Sequence, residues 1–149
     1  DVSNHAGLID RFGVVGVSSA VEVDLYGNVN STHVGGSRMI NGLGGSGDFF
    51  RNALVSVCAL PSQLAGEDVS RIVPMTFHVD HTEHDVDVIV TEQGVADLRG
   101  LSPVERAETI VEHVAHPDYE PALREYLDDV TTRRGHIPLD VERAAEWEP

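Results

Sequence analysis

The chain has 149 residues, of which 41% are hydrophobic, and its formal charge is −15. This length and apolar content predict one compact domain with its own core. The acidic balance disfavours nucleic acid as a partner, because phosphate backbones attract basic faces. Since no run of about 18 apolar residues and no leader of a charged then an apolar segment is present, we predict no membrane contact and a cytoplasmic location.

The basic residues and the cysteine refine this prediction. All ten basic residues are arginines, and an acidic surface without lysine is typical of molar salt, where carboxylate repulsion is screened within about 3 Å. Cys58 is the only cysteine, so no internal disulfide forms, which fits a reducing compartment. Because it lies in the apolar run 55–60, we predict a buried, inert thiol.

Strands and helices alternate through the first two thirds of the chain. Residues Leu8, Ile9 and Phe12 share one helical face, and Gly13 ends that helix. A polar loop is predicted over 28–38. Apolar runs, some alternating with acidic residues, predict short strands at 14–17, 21–26, 55–60, 70–75 and 86–91.

Three helices are predicted in the remaining third. Ser102 and Glu105 match a capping box with proline at the first helical position, so a helix should run from there to about His113. A second helix is expected from 119 or 120 to about 133, ended by Gly135, and a third is capped by Asp140 and reaches Trp147. The whole chain, 1–149, is therefore predicted to be one α/β domain, a layered open sheet flanked by helices, with a helical tail from about 102 to 149.

The glycine-rich stretch 41–48 is the first candidate site. Four of its residues, between Gly42 and Gly47, are glycines, which let main-chain N–H groups approach a ligand closely. Asp48 is predicted to cap a helix that continues to Val57, whose positive end would lie beside the loop. A backbone anion site and a plain tight turn both fit the pattern, which is neither GxGxxG nor a Walker loop.

Polar residues elsewhere have functional and structural interpretations. Glu92 follows the strand 86–91, and open α/β sheets bind ligands beyond the carboxyl ends of their strands, so Glu92 is a candidate acid, base or positioning group. Asn4 is predicted from local pattern alone to cap the first helix. Glu22 is predicted to face outward from a strand, and Asp97 with Arg99 to form a surface ion pair.

The stretch 78–85 contains several types of metal ligand. His81 and His84 would share a helical face, and His78 and Asp80 would share the face of a strand. No HExxH motif and no second cysteine support a metal site. We therefore expect no metal and interpret the stretch as a hydrogen-bonded loop or a solvated turn, with a metal-binding domain as the alternative.

Five segments in order resemble one known family. They are 21–27, 41–49, 72–74, 81–85 and 90–100. Together they resemble the C-terminal domain of the acetyl-CoA hydrolase/transferase family, in particular its succinyl-CoA:acetate CoA-transferases. The likeness extends from about Ser3 to Tyr119 and more loosely to the end.

The resemblance implies a two-domain enzyme whose second α/β half is this chain. Such enzymes move CoA between an acyl-CoA and a small carboxylate through a glutamyl-CoA thioester, and the alignment places that glutamate on the N-terminal domain. It further implies that the Gly45 N–H donates to the oxyanion, that Asn4 faces the reacting groups and that Glu92 borders the pocket. Coenzyme A would contact Asn41, Gly44, Gly45 and Ser46.

The resemblance also bears on partners. The chain, which opens like the interior of a longer protein, would need the N-terminal CoA-transferase domain and be inactive alone. An apolar face left where that domain packs would favour a homo-oligomer. The alternatives are an acetyl-CoA hydrolase and a non-catalytic remnant that binds CoA or oligomerises.

Overall fold

A computed structural model describes residues 2–133 and 135–147, and within them five helices and nine short strands form. The helices are α1 (Ala6–Phe12), α2 (Ser46–Asn52), α3 (Pro103–Val114), α4 (Glu120–Thr131) and α5 (Val141–Ala145). The strands are β1 (Val15–Ser19), β2 (Glu22–Asp24), β3 (Val29–Asn30), β4 (His33–Val34), β5 (Arg38–Met39), β6 (Val55–Ala59), β7 (Ile72–Val73), β8 (Val88–Val90) and β9 (Val95–Asp97). The predicted mixture of open sheet and flanking helices is confirmed.

The main sheet has the strand order β1-β6-β8-β9. Strands β1, β6 and β8 are parallel, and β9 returns antiparallel to β8. Helix α2 packs against β1 closely because Gly16 has no side chain: a Cβ there would lie 3.2 Å from atoms of Phe49 and Ala53. Cys58 of β6 is fully buried, and burial raises the pKa of its thiol to about 12, as expected of an inert thiol.

A second sheet has the order β3-β2-β7 and packs into the same core. Strand β2 runs parallel to β7 and antiparallel to β3. Val29 of β3 also exchanges two main-chain hydrogen bonds with His81, so the stretch after residue 78 is attached to this sheet. Strands β4 and β5 form a separate two-stranded ribbon, where we predicted only loop.

The caps predicted for the helices of the tail at Ser102 and Asp140 are present in the structure. The Ser102 hydroxyl accepts from the Glu105 N–H, while the Glu105 carboxylate accepts from the Ser102 N–H, which completes the capping box of α3. Asp140 caps α5 by accepting from the Arg143 N–H. No helix in the described ranges combines the length and apolar character needed to cross a bilayer.

The first and second helices begin differently from the prediction. The N-cap of α1 is His5, so Asn4 does not cap it. Helix α2 begins after Gly45, three residues earlier than a cap at Asp48 would place it, and ends at Asn52 because 55–59 form β6. With two turns, α2 has a weaker dipole than the predicted helix to Val57 would have had.

One face of the main sheet carries valines that no described element covers. In-register pairing and alternation place these side chains on the face opposite buried Ser56, Cys58 and Ile89. We call this surface the valine face; it consists of Val15, Val17, Val55, Val57, Val88, Val90 and Val95. Val15, Val17 and Val95 are 61%, 66% and 58% exposed. The flanking helices predicted from the sequence therefore leave this face of the sheet uncovered within the described residues.

Candidate active site

The chain topology brings the candidate residues to one edge of the main sheet. Helix α2 packs on β1 and β6 and joins β6 through two residues, so it runs antiparallel to β6 and its first residues lie at the carboxyl ends of the parallel strands. Glu92 lies two residues beyond the end of β8, at the same edge. This is the edge at which open α/β sheets bind ligands.

Asn4 and Gly45 are in direct contact at this edge. The Asn4 side-chain amide occupies the volume that a Cβ at position 45 would need, with Nδ2 as the nearest atom. Asn4 is half-buried, and its Oδ1 accepts a hydrogen bond from the Ser3 hydroxyl (3.1 Å). Only glycine fits at position 45 while Asn4 keeps this position, so two of the predicted site residues form one unit.

The glycine loop presents an open surface. Asn41, Gly42, Leu43 and Gly44 are exposed, and no atom lies within 4 Å of where a Cβ would stand on Gly42 or Gly44. Gly44 has a φ of 61°, a left-handed conformation that favours glycine. The Gly45 N–H donates to no residue in 2–133 or 135–147. A ligand can therefore approach the main chain of this loop.

Ser46 is held from inside the protein. Its hydroxyl donates to the Leu43 carbonyl (2.9 Å) and lies 2.9 Å from Nε2 of buried His81. The Ser46 hydroxyl is thus engaged with protein groups, and the CoA contact predicted at Ser46 remains a prediction, which its main chain would have to make. The contact of His81 with Ser46 was not predicted, since the sequence assigned His81 no partner and placed it only in a hydrogen-bonded loop, a solvated turn or a metal site.

Glu92 is exposed and is oriented by Ser62. Its carboxylate accepts from the Ser62 N–H (2.9 Å), from the Ser62 hydroxyl and from the Gln93 side-chain amide (3.1 Å). Desolvation raises the pKa of Glu92, but these hydrogen bonds outweigh it and lower the pKa to about 2. Glu92 is therefore an ionised acceptor at neutral pH and a poor proton donor. Across the described ranges no hydrogen bond links it to Asn4 or Gly45.

The three histidines of the stretch 78–85 have separate partners. His78 pairs with Asp80 (3.0 Å), His81 bonds Ser46, and exposed His84 lies 3.4 Å from Glu83. Among the residues that the structure describes, no group of three or more His, Cys, Asp or Glu side chains is arranged to hold a metal ion. The stretch is largely a hydrogen-bonded loop.

Other predicted groups lie outside this edge. A cavity of about 450 Å³ is lined by Glu22, Arg71, Phe77 and Trp147, but by none of Asn4, Gly45 and Glu92. Glu22 is half-buried there instead of facing outward, and burial raises its pKa although Asn30 donates to it (2.9 Å). Asp97 and Arg99 form the expected surface ion pair (2.6 Å). The open glycine loop, rather than this cavity, is the candidate site because its free main chain suits a ligand.

Known proteins match this chain along nearly its whole length. Residues 1–127 match the acetyl-CoA hydrolase/transferase C-terminal domain. The chain is 54% identical over 148 residues to the succinyl-CoA:acetate CoA-transferase of Clostridium kluyveri, which covers 99% of this chain and 28% of that protein. It is 57% identical over 131 residues to the acetyl-CoA hydrolase of Kluyveromyces lactis, 85% of this chain and 25% of that protein.

A solved structure shares the fold. The crystal structure of RipA from Yersinia pestis aligns with a TM-score of 0.77 and 34% identity, over 87% of this chain and 31% of that one. The chain therefore spans between a quarter and a third of the length of the proteins that it matches.

Proposed function

The chain belongs to the acetyl-CoA hydrolase/transferase family, as its C-terminal domain, and on this premise we propose that it is one part of a CoA-transferase. The enzyme moves CoA between an acyl-CoA, such as acetyl- or succinyl-CoA, and a carboxylate. A glutamate on the N-terminal domain attacks the thioester carbonyl, which gives an acyl-glutamyl anhydride and CoA thiolate. The thiolate attacks the glutamyl carbonyl and releases the first carboxylate. The acceptor carboxylate then attacks the glutamyl-CoA thioester, which gives a second anhydride and frees the thiolate. The thiolate attacks the acyl carbonyl of that anhydride, so the new acyl-CoA forms and the glutamate is regenerated.

The observation that carries this proposal is the contact between Asn4 and Gly45 beside an exposed glycine loop. The Gly45 N–H donates to the oxyanion of the tetrahedral intermediate, and one such donor is typically worth about 10²–10³ in rate. The Asn4 amide donates beside it without titrating. Coenzyme A lies along the main chain of Asn41, Gly44, Gly45 and Ser46.

Glu92 contributes a fixed negative charge to the same edge. The Ser62 hydrogen bonds keep the Glu92 carboxylate ionised, so it can accept hydrogen bonds but not donate one. In this role it orients hydrogen-bond donors beside the nucleophilic glutamate or beside the substrate carboxylate. We assign it positioning and not proton donation. Of the three roles that the sequence left open for Glu92, acid, base and positioning group, we thus propose the last.

We propose transfer in preference to hydrolysis on the extent of the match alone. The transferase relative aligns over 99% of this chain at 54% identity, and the hydrolase relative over 85% at 57% identity. The two reactions differ in whether a carboxylate or water resolves the thioester. Product analysis with succinyl-CoA as the donor, with and without acetate, separates the two reactions. A transferase forms acetyl-CoA only when acetate is present, whereas a hydrolase releases free CoA at the same rate under both conditions.

The proposal requires a partner domain, and the valine face is the surface on which we place it. Mostly parallel sheets are covered on both faces. Here α2 and α3 cover one face, and the valine face is open within the described ranges. The chain alone is then expected to turn over no acyl-CoA, and adding the N-terminal domain should restore turnover.

Calorimetric titration of CoA and acetyl-CoA at molar KCl tests the site. Gly45→Ala should weaken binding at least about tenfold, because the new Cβ displaces Asn4. Gly135→Ala, an exposed glycine of the helical tail, is the matched control and should bind as the wild type does, because its added Cβ meets only the Ile137 main chain at an ordinary contact distance of 3.5 Å. Equal binding by both variants, or no binding even after the N-terminal domain is added, would contradict the proposed site.

A further inference from the structure

His81 connects the second sheet to the glycine loop. Its main chain exchanges hydrogen bonds with Val29 of β3 (2.8 and 3.1 Å), and its side chain reaches Ser46, 35 residues earlier in the sequence. His81 is fully buried. The loop that carries Gly45 is therefore tied, one residue later, to a rigid element elsewhere in the core.

The hydrogen bonds of Ser46 determine which imidazole nitrogen carries the proton. The Ser46 hydroxyl has one proton and gives it to the Leu43 carbonyl. Towards His81 it must then accept, so Nε2 of His81 is protonated. Nδ1 is left without a proton, and it is buried with no partner among the described residues. A neutral ring fits this site, since burial lowers the pKa of His81 more than Asp80 and Asp85 raise it.

The imidazole ring has little freedom to leave this position. Phe50 of α2 meets it edge to face, with ring centroids 4.7 Å apart and planes at 79°. Gly47, in the first turn of the same helix, would bring a Cβ to 3.6 Å from its Cε1. The ring is therefore held against α2 at two points, with Nε2–H aimed at Ser46.

We propose that His81 is a positioning residue for the glycine loop: its Nε2–H fixes Ser46, and through Ser46 the Leu43 carbonyl, so that residues 43–46 keep one conformation. In the proposed function this conformation sets the place of the Gly45 N–H, and that part of the inference depends on the proposed function. The fixing of the loop does not depend on it.

Amide hydrogen exchange measures the loop directly. The N–H groups of Asp48 and Phe49 both donate to the Gly45 carbonyl (3.1 and 3.3 Å), so their exchange reports whether Gly45 stays in place. In His81→Leu, which fills space without a donor, we expect both amides to exchange at least tenfold faster while amides of β6 and α3 keep their rates. His81→Gln keeps a side-chain N–H donor and should restore most of the protection. Ser46→Ala should match His81→Leu, and the double variant should be no worse.

The controls separate positioning from a general loss of stability. His84→Leu changes an exposed histidine of the same stretch and should leave Asp48 and Phe49 unaffected. The inference is overturned if His81→Leu speeds exchange equally throughout the protein, if it leaves both amides protected, or if His81→Gln behaves like His81→Leu. Nitrogen shifts that show a proton on Nδ1 would also overturn it.

CoA titration of the same variants distinguishes this inference from the proposed function. Weaker binding by His81→Leu, restored in His81→Gln, supports both. If the wild type binds no CoA with its partner domain present, but the His81 and Ser46 variants change amide exchange in the loop as described, the proposed function is contradicted and the fixing of the loop is supported. Unchanged CoA affinity in His81→Leu despite faster exchange overturns the claim that loop positioning serves CoA binding.

Discussion

Asp24 is a single residue whose burial gives folding a specific dependence on pH. Its carboxylate is buried and accepts from the N–H groups of Tyr26 (3.0 Å) and Asn28 (2.9 Å) and from the Asn28 amide (2.9 Å). Burial raises its pKa to about 6 in spite of these bonds. In the unfolded chain the pKa of Asp is about 3.9, so the folded state binds the proton more tightly.

This difference in pKa determines how the free energy of unfolding changes with pH. The stability that Asp24 contributes by protonation is fully present below about pH 4 and is lost as the pH rises to about 6, an effect of up to about 3 kcal/mol. Asp24→Asn should remove that loss, so that the free energy of unfolding falls less from pH 4 to 6 than in the wild type. Urea unfolding at several pH values measures this, with exposed Asp68→Asn as control. Parallel pH curves for wild type and Asp24→Asn would contradict the assignment.

At the residue scale, sequence was sufficient to select Asn4, Gly45 and Glu92 as candidates but not their supports. Ser62 bonds Glu92 across 30 residues and His81 bonds Ser46 across 35. No spacing rule connects such distant positions, because the pairing arises only when β6, β8 and the second sheet have assembled. The interpretation of Asn4 as a helix cap was wrong because His5 takes that place.

At the scale of single elements, the capping box of α3 makes a testable contribution. Ser102→Ala removes the hydroxyl that accepts from the Glu105 N–H, and loss of such a cap typically costs about 1 kcal/mol. Since α3 packs against β8 and β9, the loss should lower the free energy of unfolding of the whole domain. Thermal or urea unfolding measures it, and exposed Ser37→Ala is the control. An unchanged midpoint for Ser102→Ala would show that the box adds nothing.

Elements with strong local signals were predictable, and elements without them were not. Helices α3 and α5 carry polar caps, and β6 and β8 are apolar runs, so pattern alone located them. Strands β3, β4 and β5 have two residues each and lie in a polar, glycine-rich stretch, whereas the equally short β7 lies in the apolar run that predicted it. Helix α2 begins after a glycine with no side-chain cap, and nothing in the sequence marks that start.

At the scale of the whole molecule, the valine face should decide how the isolated chain associates. An uncovered apolar sheet face favours self-association. We expect the chain to form dimers or larger species with rising concentration and Val17→Lys to shift it towards monomer by at least about tenfold in dissociation constant. Val141→Lys, on α5 and 57% exposed, is the matched control. Sedimentation that finds a monomer at all concentrations, or equal effects of both variants, would contradict this prediction.

The architecture was predictable at this scale, but the open face was not. Alternating strands and helices indicated an α/β sheet, and the structure agrees. A strand such as β6 has the same apolar sequence whether one or both of its faces are covered. Only the pairing register, which places the half-buried Val55 and Val57 on the side away from α2, reveals the difference.

The contact between Asn4 and Gly45 also constrains how this sequence can change over evolutionary time. Since the asparagine occupies the volume of the missing Cβ, the two positions are coupled, and the order of mutations matters. A lineage that first acquires Gly45→Ala meets a clash, whereas one that first acquires Asn4→Gly opens space for it but gives up the amide. Each order of change therefore passes through a protein with either a displaced Asn4 side chain or no amide at position 4, so we expect the two positions to change together.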